Sequence, residues 1–279
     1  MILEKTAILA PALREQARPR VRQFGAVNWL GFWTLYRREV HRFLKVWMQT
    51  IVAPVVTTLL FLAIFLLALS GQRSAAGGVP FPQFVAPGLI MMAMMQNAFA
   101  NTTSSIMIGK IQGNITDVLL PPLSPAELVW GFALGGVTRG LAVGLAVGIA
   151  MIFAVHIEIA DWRLVLFHAV AASLLLSILG ILAALWAEKF DHIAAVTNFL
   201  VMPLSFLSGT FYSIQRLPPP FHVVAELNPF FYMIDGFRAG FTGHADGSIL
   251  AGIIAMVAIN AALLALCHVL FSRGYKLKA

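Results

Sequence analysis

The sequence predicts an all-α integral membrane protein with six transmembrane helices, an amphipathic helix lying on the membrane ahead of them, and re-entrant outer helices between helices five and six. Three observations lead there. Of 279 residues, 59% are hydrophobic and only 11% charged, with a mean hydropathy of +0.85, whereas soluble domains carry roughly 25% charged residues. Uncharged runs of about twenty residues recur along the chain, the length a helix needs to cross ~30 Å of hydrocarbon. The basic residues are placed asymmetrically, which orients those runs.

The predicted organisation is a single transmembrane domain over 1–279, with a cytoplasmic segment over 1–50, a six-helix membrane domain over 51–271 and a cytoplasmic tail over 272–279. The first strongly apolar span begins near Ile51, too far along for a cleaved signal peptide. Ahead of it Trp29, Trp33, Tyr36, Val40, Phe43 and Trp47 recur at steps of four and three, while Arg37, Arg38, Arg42 and Lys45 take other faces. That spacing predicts an interfacial helix with its aromatic face in lipid.

Residues 51–69 form the first predicted span, followed by 84–108, 128–155, 164–187, 193–211 and 249–271. Lys5, Arg14, Arg18, Arg20 and Arg22 join the basic helix on one side, with Lys110, Lys189, Arg273, Lys276 and Lys278. Arg73, Arg163, Arg216 and Arg238 fall on the other, so both termini are expected in the cytoplasm. A net charge of +7 so distributed fits anionic lipid, and no nucleic-acid partner is expected.

The second predicted span carries Gln96, Asn97, Asn101 and a run of hydroxyls to Ser105. Such groups avoid lipid, so they line a pathway or bond between helices. In the third, Gly136, Gly140, Gly144 and Gly148 repeat every fourth position, a stripe that admits a close neighbour. Arg139 is the charge within that span. A helix over 128–155 is ~42 Å long at 1.5 Å per residue, so Arg139 either snorkels to the interface or serves substrate or gate. After the fifth span, Pro218, Pro219, Pro220 and Pro229 forbid one continuous helix, while Phe230, Phe231, Tyr232, Ile234 and Phe237 avoid water. Short helices that dip into the outer leaflet and return, protected by protein contacts, reconcile the two. There Asp235 and Arg238, at i and i+3, are expected to pair, and Glu226 belongs to the same region.

Catalysis finds no support. The Gly109-Lys110 pair is followed by Ile111, so no phosphate-binding loop exists. The seven histidines are scattered and form no close ligand pair. Cys267 is the single cysteine, so no internal disulfide forms.

Two stretches carry a resemblance. "GKIQGNITDVLLPPLSPAELVWG" after the second span, and "NFLVMPLSFLSGTFYSIQRLPPPFHVVAELNPFFYMIDGFRAGFTG" from the fifth span outward, resemble the membrane (permease) subunit of type-two ABC exporters. The resemblance covers essentially the whole chain. It implies a bacterial inner-membrane location and outward movement of a lipid, glycolipid, polysaccharide or amphiphilic drug. It also implies a homodimer paired through the first and fifth spans, with two copies of a separate ABC ATPase subunit. ATP and Mg would sit on that partner, and this chain would hold no cofactor. The residues from Gly113 to Leu120 would form a coupling helix docked on the ATPase through Gly113, Ile115, Asp117, Leu119 and Leu120. Pro121, Pro122 and Pro125 would end it. Many relatives have Glu where this chain has Asp117.

The rival is an ion-coupled secondary transporter, which needs intramembrane acids or inverted repeats. Neither is found in the sequence. A membrane-bound lipid enzyme would want clustered His or Asp at one face.

Overall fold

The computed structural model describes residues 25–68, 78–216, 218, 225 and 227–276. The segment 1–24, residues 69–77, 217 and 219–224 with Pro219 and Pro220, Glu226 and the terminal 277–279 lie outside the described residues. Within them the chain is helical, in the order α1 (Trp29–Leu44), α2 (Ala53–Ala68), α3 (Phe81–Ile111), α4 (Ile115–Leu119), α5 (Pro125–Val155), α6 (Trp162–Trp186), α7 (Phe190–Val196), α8 (Met202–Leu207), α9 (Pro229–Thr242) and α10 (Ile249–Ser272). A π-helical turn, Met48–Val52, leads into α2, and another, Thr197–Val201, joins α7 to α8.

Among the described residues five helical stretches are long and apolar enough to cross a membrane: Met48–Ala68, Pro125–Val155, Trp162–Trp186, Phe190–Leu207 and Ile249–Ser272. The expected second span is less apolar because of its polar run, yet α3 is 31 residues long and lies at the centre of the molecule. Its flanks meet α5 and α6 along most of their length. Buried Phe84, Leu89, Met91, Met95 and Phe99 fill that core with Val143, Val147, Met151, Leu175 and Leu176.

Small residues bring these three helices together. A Cβ on Gly136 would lie 2.1 Å from Ser177 Oγ, and one on Gly180 would lie 2.7 Å from the Phe99 carbonyl oxygen. Thr102 Oγ1 donates to the Ser177 carbonyl at 2.9 Å, and Ser177 Oγ donates to the Ala133 carbonyl at 2.9 Å. These two buried hydroxyls are thus satisfied across the contact, as a dry interior demands, while Ser173 Oγ beside Gly140 has no partner among the described residues. The glycine stripe has two faces. Gly136, Gly140 and Gly144 admit α3 and α6, Gly131 and Gly135 admit α1, and Gly148 meets nothing within 4 Å.

Two expectations are revised. α1 buries Leu35, Glu39 and Phe43 against the bundle, so its inward face carries an acid, while Trp29, Trp33 and Trp47 stay exposed. The fifth span begins at Phe190 and its helix ends at Leu207, short of the expected Phe211. In the outer region the short helix α9 is covered by protein contacts, with Phe230, Phe231, Met233, Ile234 and Phe237 buried. All six tryptophans, the remaining three being Trp130, Trp162 and Trp186, are exposed on the chain.

Candidate functional site: the basic end and the buried polar belt

The end of the bundle carrying α1, α4 and Lys276 is its basic end. Here Lys110, in the last turn of α3, donates from Nζ to the carbonyls of Ala184, Leu185 and Ala187 at 3.1, 3.2 and 2.7 Å. One ammonium thereby satisfies carbonyls that the C-terminus of α6 leaves open. Beside it the hydrogen bond from Lys276 Nζ, 2.8 Å long, holds the Glu188 carboxyl below its ordinary range and raises Lys276 in turn.

Gly113 then takes φ +72°, a conformation that favours glycine, and turns the chain into α4. α4 is only five residues long. Ile115 and Val118 are buried and hold it to the bundle, Leu119 is half-buried, and Asp117 and Leu120 point outward. Leu120 is 80% exposed. Of the five expected coupling residues, then, Gly113 shapes the turn, Ile115 packs inward, and Asp117 and Leu120 face away from the protein.

Beyond the prolines, Ser124 and Glu127 cap α5 reciprocally. Glu127 has a second duty. One oxygen accepts from the Ser124 N–H and the other from the Asn28 N–H at the start of α1. Asn28 in turn donates from Nδ2 to the Pro122 carbonyl at 3.1 Å. The loop is therefore fixed at one end to α6 through Lys110, and at the other to α1 through Glu127 and Asn28. A groove of about 360 Å3 runs between α1 and α4, with Arg38 and Asp117 in its lining.

Deeper in, Glu39 is fully buried. It accepts from Ser105 Oγ at 2.7 Å and pairs with Arg42 at 3.1 Å and Arg38 at 3.3 Å. Arg42 also donates to Ser104 Oγ and Asn101 Oδ1, each at 2.9 Å. Among the expected pathway residues, Asn97 and Arg139 meet, Nη2 donating to Asn97 Oδ1 at 2.9 Å. Asn101 is fully enclosed and bonded to Arg42. Gln96 and Asn97 line a cavity of about 390 Å3 between α3 and the fifth span.

At the opposite end Asp235 and Arg238 are both buried but do not pair with each other. Asp235 accepts from the backbone N–H groups of Asp246 and Gly247, each at 2.9 Å. Arg238 donates to the Gly209 carbonyl and lies over the Phe84 ring, 3.8 Å from its centroid. Each charge ties α9 to a different loop.

Sequence reasoning missed Glu39, Lys110 as a cap, and the second role of Glu127. Glu39 carried a signal: a lone acid four residues from Leu35 and from Phe43, on the one face of a basic helix where a charge does not belong.

Residues 31–242 match the family model described as ABC-2 type transporter. The chain belongs to the ABC-2 type transporter family. It is 36% identical over 251 residues to the inner membrane transport permease YadH of Escherichia coli K12, covering 90% of this chain and 98% of that protein. More distant relatives are called nodulation protein J. That of Sinorhizobium fredii NGR234 is 26% identical over 238 residues, 82% of this chain and 87% of the relative. That of Rhizobium leguminosarum bv. trifolii is 23% identical over 225 residues, 79% and 83%. As an ABC-2 protein the chain is the membrane component of an ABC transporter, and membership implies an ABC ATPase partner. The family match extends from α1 through α9, so it takes in α4, the polar belt and the outer helix, while Asn28 and Lys276 lie outside it.

Proposed function

We infer that this ABC-2 chain is the permease half of an ATP-driven exporter in a bacterial inner membrane. Two copies enclose a path for a lipid, glycolipid, polysaccharide or amphiphilic drug, and two ATPase subunits bind the basic end. Six helices cross, α3 among them, since it runs beside α5 and α6 from end to end. Both termini face the cytoplasm, by the distribution of Lys and Arg. ATP and Mg belong to the partner, and this chain performs no chemistry.

The observation that carries the reading is α4 itself. A five-residue helix that presents Asp117 and Leu120 outward, yet is fastened at both ends to long helices, is shaped to receive force from another protein and pass it on. ATP binding draws the ATPase subunits together, and the energy enters as the difference in affinity of ATP for the two states. The groove beside α4 extends the docking surface onto α1. Dimer pairing through the first and fifth spans agrees with their exposure, since only 11% of the most apolar stretch of each is buried, although Ile249–Ser272, at 17%, is nearly as open.

Asp117→Lys and Leu120→Asp test the reading, because neither side chain is inside the bundle. Both variants are expected to insert and unfold as the native protein does, but to lose copurification of the ATPase or the coupling of hydrolysis to export. Losing a buried, hydrogen-bonded charge partner at an interface costs about 2–5 kcal/mol. Normal ATPase binding together with native transport in both variants would remove α4 as the coupling element.

A further inference from the structure

α6 begins at the end of the bundle that carries α9, where the Asp161 N–H donates to the Gly240 carbonyl at 2.8 Å. From there α6 and α10 run together, and a groove of about 560 Å3 opens between them. Leu166, Val170 and Leu174 of α6 and Val257 and Leu264 of α10 wall it, so it is almost wholly apolar. Trp162 and Arg163 stand at its end. From Trp162 to Leu174 the groove follows α6 for twelve residues, ~18 Å at 1.5 Å per residue. One leaflet of a ~30 Å hydrocarbon layer is about as deep, roughly 15 Å.

Arg163 is exposed, and among the described residues no carboxylate lies within ion-pair distance of it. Asp161, the acid nearest along the chain, accepts the Arg163 N–H on Oδ1 at 2.8 Å as the cap of α6. The guanidinium lies instead 5.8 Å from the centroid of the Trp162 ring, and Trp162 is 63% exposed. An indole and a guanidinium at one level are the groups that settle at the head-group layer of a bilayer. There the planar fork of donors matches a phosphate in shape and in charge.

The groove suits a flexible chain better than a helix. Where the helices of this protein meet one another, glycines admit the close approach, as at Gly136 and Gly180. The groove is lined by no glycine, and Leu166 and Val257 stand 53% and 55% exposed along it. Asn260 ties its two walls together, Nδ2 donating to the Ala171 carbonyl at 3.1 Å, and its Oδ1 is enclosed, so the occupant meets no polar group until it reaches Arg163. We propose that a membrane phospholipid occupies this groove, one acyl chain lying between α6 and α10 and its phosphate held by Arg163. The lining comes from α6 and α10 alone, away from the first and fifth spans, so the lipid is a structural partner of α10 rather than cargo. Only 17% of the most apolar stretch of Ile249–Ser272 is buried by protein, and the lipid supplies contact that the protein does not.

The test uses the purified chain in a neutral maltoside detergent with phosphatidylglycerol that carries a diazirine in one acyl chain, the photolabelled residues being mapped by mass spectrometry. Saturable labelling is expected within 166–174 of α6 and 257–264 of α10. Unlabelled phosphatidylglycerol should compete, and a diacylglycerol with the same chains, which lacks the phosphate, should not. Arg163→Gln should weaken the labelling about fivefold, the worth of one arginine at an anionic head-group layer, and Arg163→Lys should keep most of it. Ala261→Trp fills the groove and should abolish the labelling. Arg163 and Ala261 are both exposed, so these variants should unfold in detergent as the native protein does. Labelling spread evenly over α2 and α10, unchanged in Arg163→Gln and Ala261→Trp, would mean an ordinary lipid coat and overturn the site. Equal competition by the diacylglycerol would overturn the phosphate contact. A photoreactive residue at position 170 that joins two copies of the chain in membranes, with no lipid labelling in the groove, would assign the groove to a second copy instead. No ATPase or transport is involved, so a failure here leaves the coupling reading standing, and a failure of the α4 variants leaves this site standing.

Discussion

Glu39 is the residue on which the membrane-facing half of the basic end depends. Two arginines and a serine converge on one carboxylate that has no exposure of its own. Removing one partner of a buried pair costs about 3–5 kcal/mol when both are enclosed. Arg42 keeps 27% of its side chain exposed and Arg38 45%, so water softens the loss. Glu39→Gln should therefore cost about 2 kcal/mol, more than Arg42→Gln, in thermal unfolding of the purified protein. No loss in Glu39→Gln, which keeps the shape and removes the charge, would mean that Glu39 is held by packing alone. At the outer end, Asp235→Ala strands two backbone N–H groups in a buried place, about 1–3 kcal/mol, and Asp235→Asn should cost less because one acceptor oxygen remains. The i, i+3 spacing suggested a pair between Asp235 and Arg238. Spacing reports proximity along a helix, whereas the loops that come back to meet each side chain, Gly209 on one side and Asp246 with Gly247 on the other, are set by tertiary structure.

The apolar helices were legible in the sequence because the bilayer imposes a length and a composition that no local context overrides. Their ends were not. α3 extends three residues to either side of the expected span, since a polar run inside a protein core is no signal of a boundary. The π-helical turns in the first and fifth spans leave no mark in a hydropathy pattern either. Glycine spacing predicted a close contact but not which glycines make it. Gly180→Ala must push a Cβ against the Phe99 carbonyl, and overpacking of this kind costs about 1–3 kcal/mol. Gly148→Ala should be neutral, or stabilising by up to about 1 kcal/mol through helix propensity. Unfolding of the two variants in detergent separates the cases. A cost at Gly148 equal to that at Gly180 would reveal a helix from another copy packed there.

For the whole molecule, orientation follows from charge, and labelling can establish it. The single native cysteine, Cys267, is buried, so an impermeant thiol reagent should leave the native protein unmarked. A cysteine introduced at position 216 should react in intact cells and one at position 278 should not. The opposite pattern would invert the topology. The basic end shows what a single chain can and cannot announce: the short helix and its prolines were visible in "ITDVLLPP". The fastening by Lys110, Asn28 and Glu127 joins residues about a hundred positions apart or on different helices and has no local pattern. The six tryptophans, all on the outside of the chain, have a spectroscopic consequence. Indole emission from this protein reads its surroundings rather than its core. Brominated acyl chains should quench much of it, and a variant whose interior loosens without leaving the bilayer should keep its emission maximum while its unfolding temperature falls.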